Sequence, residues 1–151
     1  MSPAELPPRG SDPPGPTIAL SVSGSVPSNA HAAGFVRHAV VDLLARYGTP
    51  AAQVGMIGLA ISEAVTNVAV HAYPFDGVGC VHFDADIEDD DLEIVVRDDG
   101  FGIRHEHRNE GVGLGLRIIA ATASDFALTD SINGLELWMR FALGELASSK
   151  A

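Results

Sequence analysis

The sequence predicts an α/β fold, a two-layer sandwich in which one mostly antiparallel sheet is covered on one face by three helices. Three observations carry this expectation. VGCVHFDADI (78–87) alternates strictly, with Val81, Phe83, Ala85 and Ile87 on one face and His82, Asp84 and Asp86 on the other, the period of a half-buried strand. The stretch from Thr49 to His71 carries Ile57, Ile61, Val65 and Val68 along one side, the pattern of a helix with one packed face. The elements then follow in the order β-α-α-β-β-loop-α-β-β.

Residues 1–16, MSPAELPPRGSDPPGP, hold six of the nine prolines and little that packs, so they read as a disordered tail. TIALSVSGSV (17–26) is the first strand, ended by Pro27, with Ser28 or Asn29 available to cap a helix. Along that helix Phe35, Ala39, Val40, Leu43, Leu44 and Tyr47 recur at helical spacing, and Gly48 stops it. Thr49 and Pro50 open the second helix as N-cap and first helical residue, and Pro74 closes it off. EDDD (88–91) reads as a solvated hairpin tip, with LEIVVR (92–97) returning as the partner strand. A glycine-rich polar loop (98–115) leads into a third helix over 114–124. DFALTD and LELWMRFAL form a last hairpin, with Asn133-Gly134 supplying the positive-φ turn. The domain expected is 17–143, followed by a C-terminal tail, 144–151.

A 151-residue chain is enough for one domain with a proper core. No apolar run approaches the roughly 20 residues of a membrane span, and the N-terminus lacks the pattern of a secretory signal. Cys80 is the only cysteine, most simply a small core residue, and its solitude suits a reducing cytoplasm. Nine basic against twenty acidic side chains give a net charge of −11. Such a chain would repel a phosphate backbone, so direct nucleic-acid binding is disfavoured. It could attract a basic protein surface, or the charge could serve solubility alone.

Three pieces could carry chemistry. Glu63, Asn67 and His71 are spaced by four and form one ridge of the second helix. The ridge can face a cavity while the apolar stripe faces the sheet, although a glutamate on a helix edge also reads as merely solvated. Asp98-Asp99-Gly100-Phe101-Gly102 follows an apolar strand. A carboxylate there can accept a hydrogen bond from an exocyclic amine, and glycines admit a flat ring, but an ordinary tight turn fits too. Gly111-Val112-Gly113-Leu114-Gly115 can turn backbone N–H groups toward an anion at a helix N-terminus, or be a flexible helix entry. It lacks the Gly-Lys-Ser/Thr ending of a Walker loop. His71 reads as a cap on the last carbonyls, and His105 and His107 as solvated. No Ser-His-Asp or Cys-His set suggesting a hydrolase is evident.

Together, E-x-x-x-N on a helix, D-x-G-x-G after a strand and G-x-G-x-G at a helix start occur in an order that resembles the GHKL ATPase superfamily. The resemblance covers about residues 17–143 and implies the Bergerat-type ATP-binding fold. The run from Glu63 to Tyr73 looks most like the anti-sigma-factor serine/threonine-protein kinases. That resemblance implies ATP and Mg²⁺ as cofactors. Glu63 would be the general base and Asn67 the Mg²⁺ ligand. Asp98 would read the adenine amine, with Gly100 and Gly102 lining the base. Gly111, Gly113, Leu114 and Gly115 would close over the phosphates, and Arg104 or Arg108 would neutralise the γ-phosphate.

The partners implied are a sigma factor, held inactive, and a STAS-type anti-sigma-factor antagonist, phosphorylated on serine or threonine. A homodimer through the first strand and helix is a further expectation. The alternative is an ATP-sensing binding module that holds a partner without transferring phosphate. Glu63 separates the two, because a pure adaptor needs no base.

Overall fold

The computed structural model describes residues 19–72, 79–99, 112–131 and 134–144. Eight elements follow in the expected order: β1 (Leu20–Pro27), α1 (Ala32–Tyr47), α2 (Ala51–Ala72), β2 (Cys80–Glu88), β3 (Asp91–Arg97), α3 (Val112–Thr122), β4 (Asp125–Ser131) and β5 (Gly134–Ala142). The strands make one sheet in the order β1-β2-β3-β5-β4. Every neighbouring pair is antiparallel.

Strand alternation divides the sheet into a packed and an open face. Val81, Phe83, Ala85 and Ile87 of β2 are buried, as are Leu92, Ile94 and Val96 of β3 and Leu137, Met139 and Phe141 of β5. The other face carries His82, Asp84, Glu93, Arg97, Trp138 and Arg140. α2 is the centre of the helical layer, touching α1, α3 and strands β2, β3 and β5. Its predicted stripe, Ile57, Ile61, Val65 and Val68, is wholly buried.

Several local expectations change. Neither Ser28 nor Asn29 caps α1: His31 is the N-cap and makes no side-chain cap bond. Asn29 Oδ1 instead accepts the His31 amide at 2.8 Å, a local turn that competes with capping. The predicted α1 face holds at Val40, Leu43 and Leu44, but Phe35 is 57% exposed and its neighbour Val36 is buried in its place. Gly48 does end α1, at φ 90°, its N–H donating to the carbonyls of Leu44 and Ala45, as a left-handed glycine stop requires. Thr49 does not cap α2; its buried hydroxyl has no partner among the described residues. The Pro50 carbonyl accepts the Val54 amide at 3.0 Å, so the cap lies one residue later.

The hairpin tip is more than solvated. Asp89 (φ 52°) and Asp90 (φ 64°) both adopt the left-handed conformation, as a two-residue hairpin turn requires. Asp90 then ties the tip down. Its carboxylate accepts the Tyr47 hydroxyl proton, and its carbonyl accepts the Leu143 amide at 2.8 Å. Cys80 is also not a core residue: it is partly exposed, because alternation sends Val81 inward instead.

The expectation that no run suits a membrane span fails for Ala51–Ala69. These 19 residues, mean hydropathy 1.2, are long and apolar enough by composition. Small residues dilute the run to the eye, yet its mean hydropathy stays high. In the fold, Ile57, Ala60, Ile61, Ala64, Val65 and Val68 of this stretch pack into the core. The assigned tail 1–16, Asn133 of the last turn and residues 145–151 lie outside the described residues.

Candidate functional site

Of the predicted residues, Glu63, Asn67, Asp98, Gly113, Leu114 and Gly115 are described, and contacts at one end of the sandwich tie their elements together. Ser28, just after β1, donates through its amide to Gly79 O at 2.9 Å, and its hydroxyl reaches Ala69 O in the second half of α2 at 3.5 Å. The neighbouring Cys80 amide donates to Asp99 Oδ2 at 2.6 Å. The C-terminal half of α2, the start of β2 and the end of β3 are thereby tied together. The N-terminus of α2 belongs to the opposite end, where Gln53 Nε2 donates to Ala142 O at 2.7 Å.

Glu63 and Asn67 stand one turn apart on α2 and are each partly buried. The helix they face is α3. A Cβ on Gly115 would lie 2.8 Å from Asn67 Nδ2, 3.3 Å from Asn67 Oδ1 and 3.2 Å from Glu63 Oε2. Only a residue without a side chain lets the two helices approach here with both polar groups in place. Asn67 Nδ2 is buried and has no hydrogen-bond partner among the described residues. A buried donor left in this state costs about 1–3 kcal/mol, and a ligand acceptor would offset that cost.

The glycine motif opens a helix, as expected, two residues earlier than 114. Helix α3 begins at Val112, so Gly113 joins Leu114 and Gly115 in its first turn. First-turn amides have no acceptor within their own helix and point outward from its positive end. The motif therefore combines a helix N-terminus with a glycine contact against α2. Sequence reading assigned Gly115 to the phosphates and missed the helix contact, which the pairing of an E-x-x-x-N helix with a GxG helix could have signalled.

Asp98 continues the inward series Val96, Asp98 and is 4% exposed. Its amide donates to Leu135 O at 3.2 Å, and its Oδ2 accepts the Leu135 amide at 2.9 Å. Leu135 was not among the predicted residues; it comes opposite Asp98 through the β3–β5 pairing, one step beyond Arg97 with Glu136, a long-range register that the sequence pattern does not specify. A carboxylate has about four acceptor positions, so engagement with Leu135 leaves it capacity for an amine. Gly100, Gly102, Arg104, Arg108 and Gly111, with the side chain of His71, lie outside the described residues.

This arrangement suits a nucleotide. It offers an inward carboxylate at a strand end, a helix N-terminus, and a carboxylate-amide pair whose nitrogen lacks a partner among the described residues. No group of three or more His, Cys, Asp or Glu that could cage a metal occurs among the described residues. Mg²⁺ commonly enters with substrate phosphates and only one or two protein ligands, and the Asn67 amide oxygen fits that role.

Comparison with known proteins agrees with the geometry. The profile of the histidine kinase-like ATPase domain matches residues 26–141. The chain belongs to this family, and membership implies ATP as the nucleotide. An anti-sigma F factor of Shouchella clausii is 36% identical over 69 residues, 46% of this chain and 47% of the relative. The serine-protein kinase RsbW of Bacillus subtilis is 28% identical over 88 residues, 58% of this chain and 55% of the relative. The matches thus span about half the length of these curated relatives. Among solved structures, the RsbU and RsbW domains of Rv1364c from Mycobacterium tuberculosis match with TM-score 0.64 and 24% identity, over 85% of this chain and 33% of that one. The histidine kinase domain of the Erythrobacter litoralis EL346 blue-light activated histidine kinase matches with TM-score 0.53 and 26% identity, over 78% and 62%.

Proposed function

We propose that the protein is an ATP- and Mg²⁺-dependent serine/threonine kinase of the anti-sigma-factor type. It would hold a sigma factor inactive in the cytoplasm and phosphorylate a STAS-type antagonist. The observation that carries this reading is the convergence of Glu63 and Asn67 on Gly115, in the first turn of α3. Relatives named anti-sigma F factor and serine-protein kinase support the choice within the family.

Each residue then has a task. Asp98 accepts the exocyclic amine of adenine. The first-turn amides of α3 donate to phosphate oxygens. Asn67 offers its oxygen to the cation and its N–H₂ to a phosphate. Bound Mg²⁺ would supply positive charge across the transferring phosphoryl group. Glu63 takes the proton of the attacking hydroxyl, one helical turn from Asn67, so positioning and charge do most of the work.

Phosphorylation adds roughly −1.5 to −2 charge to the antagonist, which a chain of net charge −11 repels. Release of the product and renewed grip on the sigma factor follow from competition for one surface. A second copy would associate through β1 and α1, where Phe35 is exposed.

The test is phosphoryl transfer from labelled ATP to a candidate antagonist domain, wild type beside Glu63→Gln. Label in the wild type alone supports the kinase. ATP binding with no label in either favours a non-catalytic ATP-sensing module, and equal label in both removes Glu63 as the base.

A further inference from the structure

β3 runs out into two consecutive acids, and alternation sends them to opposite faces of the sheet. Asp98 turns inward and is held by β5 through its two bonds to Leu135. The backbone ladder to β2 is already over, since its last pair is His82 with Arg97. Asp99 replaces the missing ladder with its side chain. Its Oδ2 accepts the Cys80 amide at 2.6 Å, and its Oδ1 meets His82 Nε2. The other ring nitrogen, Nδ1, lies 2.5 Å from Ser25 Oγ, and Ser25 pairs with His82 across the ladder.

A line of polar contacts, Ser25 to His82 to Asp99, therefore crosses three strands on the open face, directly behind Asp98. No local motif signals this set, because its members are 57 and 17 positions apart. Its composition is that of a hydrolytic triad, but it lies on the open face of a sheet. A cavity of about 210 Å³ on that face is at the opposite end, lined by Asp86, Glu88, Asp89, Asp91 and Glu93. The neighbouring charges, Arg97 and Asp84, are paired with each other at 3.5 Å.

We infer that Asp99 and His82 are positioning residues for base recognition: they clamp the end of β3 to β2 and so hold Asp98 at the angle an adenine amine requires. Asp98 itself is held to β5 through Leu135. With Asp99 bound to Cys80 and His82, the dipeptide is fixed from both sides, while Ser25 orients the imidazole. This rests on the nucleotide reading above and assigns base selectivity to residues that do not touch the base.

The experiment compares ATP with ITP, which differ at the edge of the base that Asp98 reads, by calorimetry on the full chain. Asp99→Ala is expected to weaken ATP about tenfold, the scale of one hydrogen bond to a charged group, and to leave ITP nearly unchanged. His82→Ala shifts the ratio in the same direction, and His82→Gln, which can still donate to Asp99, restores it. Exchange of the Leu135 amide in the nucleotide-free protein is expected to quicken in Asp99→Ala. Equal loss of ATP and ITP, or Asp99→Ala indistinguishable from wild type in both measurements, overturns the positioning role. A wild type that binds no ATP overturns the nucleotide reading, and the assignment of base selectivity falls with it.

Discussion

Gly115 and Asn67 face each other across the α2–α3 contact so closely that a Cβ on the glycine would come within 2.8 Å of the amide nitrogen. Alanine is the better helix former by about 1 kcal/mol, so Gly115→Ala does not threaten α3 itself. It displaces Asn67, and with it Glu63. The expected outcome is a thermal midpoint within a few degrees of wild type and ATP affinity lowered by about tenfold or more. Calorimetry beside a melting curve checks both. Unchanged ATP affinity would mean that Asn67 does not hold the nucleotide.

Asp98 has a structural bond and a proposed recognition role, and two substitutions separate them. Asp98→Ala leaves the Leu135 amide without its side-chain acceptor, at a cost of about 1–3 kcal/mol in stability. Asp98→Asn keeps an acceptor for that amide and should fold with near wild-type stability. It loses the charge that favours an amine, so ATP binding falls about ten- to a hundredfold. Urea unfolding and ATP titration of the pair measure the two effects.

Much of this was legible from periodicity. The alternation of β2 and the stripe on α2 each define one buried face, and two such faces settle a sheet-on-helix sandwich. The Glu63–Asn67 ridge was visible for the same reason, since residues four apart on a helix share a side. What could not be read were relations set by register and close approach. Phe35 looked like core because its spacing fits a helix, yet one residue's rotation separates it from the buried Val36. Gly115 reads as a phosphate-loop glycine at a helix start, whereas its packing against Asn67 depends on how near α2 comes. The bonds of Asp98 to Leu135 and Asp99 to His82 join residues whose proximity exists only once β2, β3 and β5 are paired.

Glu63→Gln preserves shape and removes basicity. The side chain still occupies the space beside Gly115, so ATP affinity should stay within about twofold of wild type. Phosphoryl transfer should fall by about 10²–10⁴-fold, the range of general-base contributions. Transfer and binding measured on the same preparation separate a lost base from a disturbed pocket. Parallel losses in both would place Glu63 in nucleotide binding.

Tyr47 anchors the other end of the sandwich, far from the proposed chemistry, by donating its hydroxyl to the Asp90 carboxylate at the tip of the β2–β3 hairpin. Burial, the hydrogen bond to Asp90 and the charges of Asp90 and Asp91 raise its pKa from the ordinary 10.0 to about 12. In the folded protein the phenol thus keeps its proton where the unfolded chain loses it. The contribution to stability is complete below pH 10 and is lost as pH rises from about 10 to about 12. Tyr47→Phe removes the donor and is expected to cost about 0.5–1 kcal/mol at neutral pH, a modest figure because the contact is solvent-accessible. The stability gap between wild type and variant should shrink across that alkaline window, while ATP affinity at neutral pH stays the same in both. Denaturant unfolding at a series of pH values tests the linkage. A gap that persists above pH 12 would assign the loss to packing against Asp90 and not to the shared proton.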